Sequence, residues 1–125
     1  MKARESVLRL KRFEADEKDR KVQQLEQMIR EFEQMAHDLE RQVKAEEERT
    51  GVRDQQHFAY STFARSAEQR RQNLLASVNE LLIKLQSAVV ERDEVLAELD
   101  EVDTLRDRDS QRARPDNGRS SLIAG

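Results

Sequence analysis

His37 and His57 are the only side chains in this sequence whose ordinary pKa lies near neutrality, since the chain has no cysteine. Neither has a second histidine at the i+3 or i+4 spacing that puts two imidazoles on one helix face, so the residues for a zinc site are missing. Both are expected on the surface. Glu46 and His57 can be drawn as an acid–base pair near a turn, but any helix this rich in charge contains such pairs. Catalysis also needs a concavity that excludes water, which a pair of helices does not provide. The glycines, Gly51, Gly118 and Gly125, stand far apart and leave no loop to cradle a phosphate. Arg70-Arg71 is a single dipeptide and reads as part of a solvated helix face rather than a phosphate clamp. The chemistry expected of the chain is therefore binding: no catalytic residue, no cofactor and no metal.

Residues that bind rather than react need an element to hold them, and the composition says which. Of the 125 residues 39% are Asp, Glu, Lys or Arg and 36% are hydrophobic, with no Trp, one Tyr and four Phe. A thick aromatic core is excluded, and an elongated single domain is expected. The net charge of −3 comes from acidic and basic residues interleaved along the chain, which argues against a nucleic-acid arm with its surplus of cations. The start, Met1 to Glu5, has no apolar run behind it. Leu81-Leu82-Ile83 is followed at once by Lys84, far short of the roughly 20 apolar residues of a membrane span. A soluble, cytoplasmic protein without direct membrane insertion is expected.

Helix breakers then parse the chain. Residues 1–50 and 52–114 contain neither Gly nor Pro and are rich in Glu, Gln, Arg, Leu, Lys and Ala, all of which lose little rotamer freedom in a helix. The expected fold is all-α: a helix over about 4–49, a turn at 50–54, a helix over about 55–114, and a disordered tail over 115–125 after Pro115. Gly51 would end the first helix and Asp54 would cap the second. In the first helix Val22, Leu25, Ile29, Phe32, Ala36, Leu39 and Val43 alternate steps of three and four, a heptad seam. The same stepping in the second picks out Tyr60, Ala64, Ala67, Arg71, Leu74, Val78, Leu81, Leu85, Ala88, Arg92, Val95, Leu99 and Val102. Folding back at Gly51 pairs Val43 with Tyr60, Leu39 with Ala64, Ala36 with Ala67, Ile29 with Leu74, Leu25 with Val78 and Val22 with Leu81, an antiparallel coiled-coil hairpin.

That register has weak layers. Phe32 faces Arg71, Lys18 faces Leu85 and Lys11 faces Arg92, and two cations in one layer should make the seam open, slip or recruit a partner. Val7, Leu8, Leu10 and Phe13 are read as lying outside one heptad phase, a contact patch or irregular cap. Beside the seam a second apolar row, Leu75, Leu82, Val89 and Leu96, repeats every seven residues at position e. Across from it stand Asp19, Glu26, Glu33 and Glu40. Either their aliphatic stems cover the row, or it is a docking face for a helix or a second copy. Phe58, Tyr60 and Phe63, with Met28 and Met35, either seal the hairpin tip or form an adaptable contact surface.

Two stretches carry a family resemblance. Leu8 to Met28, LRLKRFEADEKDRKVQQLEQM, and His57 to Leu74, HFAYSTFARSAEQRRQNL, resemble in order and spacing the flagellar export protein FliJ family in its alphaproteobacterial form. The similarity spans roughly residues 5–105 and leaves the Pro115 tail unmatched. It implies a cytoplasmic component of the flagellar type III export apparatus, peripheral to the basal body at the inner membrane. Family members form an antiparallel coiled coil similar to the γ stalk of rotary ATPases and bind the hexameric export ATPase and the cytoplasmic domain of the membrane export gate; export chaperones are further partners. On this resemblance Val7, Leu8, Leu10, Leu99 and Val102 would enter the ATPase ring, and Phe58, Tyr60, Phe63 and Leu39 would meet the gate. A holdase chaperone gripping unfolded clients through the apolar row, or another helical scaffold, is the alternative. A regulator inserting an acidic hairpin tip into a channel fits less well, because Thr50 to Asp54 offers one carboxylate.

Overall fold

A computed structural model describes residues 2–112, which form two helices, α1 over Lys2–Thr50 and α2 over Thr62–Arg112, in an all-α hairpin with no strand among the described residues. The tail from Pro115 lies outside them. Contacts divide the chain into two units, each containing a piece of both helices: one over Val22–Ser87 around the turn, the other from the start of α1 to Lys21 together with residues from Ala88 onward.

In the turn unit α1 stops where expected. Gly51 takes φ +75°, and its N–H donates to the Glu47 carbonyl at 2.9 Å, closing the helix with a left-handed cap that an L side chain resists. The second helix does not start where expected. The connection runs over 51–61, and the N-cap of α2 is Ser61, whose Oγ accepts the Ala64 N–H at 3.2 Å. Asp54 is used within the loop instead: its carboxylate accepts the Gln56 N–H at 2.9 Å, a local turn that competes with helix initiation. His57 then folds the chain again, its Nδ1 accepting the Ala59 N–H and its carbonyl the Tyr60 N–H, both at 3.0 Å. Just outside the cap, Tyr60 carries the Arg65 guanidinium 5.5 Å from its ring centroid.

The heptad seam is the core of this unit. Val22, Leu25, Ile29, Ala36, Leu39 and Val43 of α1 are buried, as are Tyr60, Ala64, Ala67, Val78 and Leu81 on the other side. Leu39, Val43, Tyr60, Ala64 and Ala67 form one cluster against which Val52 and Leu74 pack. Phe32 and Arg71 are half-buried, and Arg71 turns its head along its own helix to Glu68, 2.9 Å away. Methyl and aromatic volume leaves water here in successive layers, which is what ties the two helices together.

The unit holding the far ends of the helices corrects two expectations. Leu8 is not out of phase: it is 3% exposed and continues the a positions through Ala15, with Ala88 and Val95 buried opposite. Nor does the seam open at its cations. Lys11 reaches Glu98, Lys18 reaches Glu91 at 3.3 Å, and Arg92 reaches Asp19 at 3.4 Å. Each long side chain keeps its stem in the seam and sends its charge outward to a carboxylate of the facing helix, so the expected repulsion does not develop. Arg4 and Asp109 make a further pair beyond them.

Candidate functional site

The candidate contact residues divide by burial, and burial decides which of them a partner can touch. Near the turn Phe58 stands 96% exposed, its ring stacked on His57 with centroids 4.7 Å apart, and Phe63 is exposed in the first turn of α2. Tyr60 and Leu39, grouped with them in the sequence, are core: Tyr60 is 6% exposed and both belong to the cluster under the turn. Burial and the Glu47 carboxylate, which accepts the Tyr60 hydroxyl at 2.9 Å, hold that hydroxyl's pKa above its ordinary value. Its edge is thus engaged inside the hairpin and not available for docking.

Glu46 is the other organised group of the turn. It does not pair with His57. Its carboxylate accepts two hydrogen bonds from Arg49, at 3.0 and 2.6 Å, and one from the Ser61 hydroxyl at 2.9 Å, linking the last turn of α1 to the cap of α2. Those bonds lower its pKa to about 2.

The row at position e is partly open. In the turn unit Leu75 is half-buried and Leu82 is 45% exposed, while Glu26 and Glu33 of α1 lie in solvent alongside. In the other unit Val89 is half-buried and Leu96 exposed. Covering by glutamate stems is therefore incomplete for Leu82 and Leu96. At the far end of α1, Leu10 and Phe13 are 68% and 62% exposed and Val7 is also exposed, with Arg9 and Arg12 between them. Leu8, Leu99 and Val102 behave differently: Leu8 is core, and Leu99 and Val102 are half-buried along the seam. There Glu98 holds the Lys11 ammonium and raises its pKa.

Three exposed apolar side chains escaped the sequence reading: Ile83, Val90 and Leu105. A signal existed. Ile83 and Val90 fall one heptad apart at the outermost position of α2, where an apolar residue has no seam to enter. Among the described residues no group of three or more His, Cys, Asp or Glu is placed to hold a metal ion, and no helix is long and apolar enough to cross a membrane. No family model, curated protein or solved structure matches this chain.

Proposed function

We propose that this chain is a non-enzymatic component of the flagellar type III protein export apparatus, a coiled-coil stalk that binds the export ATPase ring and the cytoplasmic domain of the membrane export gate. Its place would be the cytoplasm, peripheral to the basal body at the inner membrane, with export chaperones as further partners. The observation that carries the reading is the run from Leu8 to Met28 on α1 together with that from His57 to Leu74, which spans the end of the connection and the start of α2. Large apolar side chains outside the seam support a role in contact: Val7, Leu10 and Phe13 toward the ring, Phe58 and Phe63 toward the gate, Leu82 and Leu96 along the flank. Leu8, Leu39 and Tyr60 serve these surfaces from beneath.

The test is biochemical. Adding the purified chain to the export ATPase should raise ATP hydrolysis or ring formation, and the double variant Leu10→Glu, Phe13→Glu should lose that effect while keeping its helicity. No change in hydrolysis or assembly at micromolar concentration counts against the proposal, as does normal export of rod and hook protein in a strain lacking the gene. A second reading, a holdase chaperone, draws on the exposure of Phe58, Phe63 and Leu82 without a fixed partner. Suppression of aggregation across unrelated model substrates, with no response from the ATPase, would favour it.

A further inference from the structure

The two flanks of the turn unit differ in sign. In an antiparallel hairpin the e positions of both helices line one side of the seam and the g positions line the other. Over Val22–Ser87 the e flank sets Glu26, Glu33 and Glu40 beside Leu75 and Leu82 and carries no basic residue. The g flank sets Met28, Met35 and Phe63 beside Arg70 and Lys84 and carries no acidic one. Glu26, Glu33, Arg70 and Lys84 are all exposed and make no ion pair among the described residues, unlike Glu40, which holds Lys44 at 3.2 Å. Both flanks also leave apolar surface in water, at Leu82 on one and at Met28, Met35 and Phe63 on the other.

We propose that a second copy of this chain is the occupant, the g flank of one hairpin docking on the e flank of the next. Met28 and Met35 then lie against Leu75 and Leu82, which share their seven-residue repeat, and Arg70 and Lys84 face the acidic row. Sign and spacing are both matched within the one sequence. An anionic lipid surface could meet only the g flank and would leave Leu82 and the glutamates of the e flank in water, whereas a second copy covers both flanks at once. Because the two docking faces differ, the contact is heterologous and does not stop at two copies. This association is independent of any export ATPase or gate.

Sedimentation of the full chain at low salt, from micromolar to near-millimolar concentration, is the test. The average mass should climb from the 14.7 kDa of one chain past that of two, and fall back as salt is added. Reversing one flank with E26K and E33K, or the other with R70E and K84E, should raise the dissociation constant about tenfold or more. Combining all four substitutions should restore association, because opposite signs face each other again. Helicity by circular dichroism should be unchanged in each variant. If a charge-reversed chain fails to fold, replacing Met28 and Met35 by Gln probes the same contact and should weaken it to a similar degree. A single-chain mass throughout, a species that stops at a dimer, or a fourfold variant no better than the twofold ones overturns the proposal.

Discussion

At the scale of the residue, the turn depends on groups whose roles come from their neighbours. Glu46 is ionised and bonded to Arg49 and Ser61, and its pKa of about 2 lies below the ordinary carboxylate value. A depressed carboxylate contributes stability that is present above its unfolded pKa and is lost as pH falls through the folded one. Wild type should therefore melt above Glu46→Gln at pH 7, and the difference should shrink between pH about 4.5 and about 2. A gap that stays constant over that range in thermal melts would show that the ionised carboxylate is not what stabilises the turn. Gly51 supports a separate prediction. A Cβ there meets nothing within 4 Å, so Gly51→Ala should be destabilised only by the left-handed φ, by about 1 to 2 kcal/mol in chemical denaturation. Gly51 was readable as a helix stop from its isolation. Ser61 was not readable as the cap, because Asp54 is as good a capping residue and only its hydrogen bond to Gln56 removes it from contention.

At the scale of the element, the heptad positions carry the packing. Leu25→Ala or Leu81→Ala should cost roughly 2 to 5 kcal/mol in urea titrations, since each removes buried methyls and leaves a gap between helices. Leu8→Ala belongs to the same class. Leu10→Ala, two residues away on an exposed face, should stay within about 0.5 kcal/mol of wild type. Equal effects of Leu8→Ala and Leu10→Ala would overturn the seam's continuation to Leu8. The phase of Leu8 was hidden in the sequence by its apolar neighbours Val7, Leu10 and Phe13, which are exposed, and by Lys11 and Lys18 at the following d positions. Those lysines look like defects when their charges are imagined inside the seam. Glu98 and Glu91 on the facing helix show where the charges go, and no reading of α1 alone identifies them.

At the scale of the molecule, the testable statement is the direction of the chain. Spin labels on Glu26 and Asn79, next to Leu25 and Val78, which are both buried, should report a short distance across the hairpin. A continuous helix over the same residues would separate them by about 80 Å. Leu82→Glu should leave helicity intact, because Leu82 is exposed beside the seam rather than in it. Unfolding of that variant would place the e row in the core and remove it as a contact surface.

The sequence by itself determined that there are two helices, that Gly51 separates them, and which stripe of each helix in the turn unit leaves water. These follow from local propensity and from a period of seven, both of which are properties of neighbouring residues along the chain. Tertiary structure alone decided where α2 begins, that Leu8 is core, that Tyr60 and Leu39, seam residues in the periodic pattern, are too buried to serve as contact surface as well, and that the cations of the seam are neutralised from across it. Each of these depends on the competition between groups far apart in sequence for the same hydrogen bond, buried space or carboxylate, and a periodic pattern cannot rank such competitors.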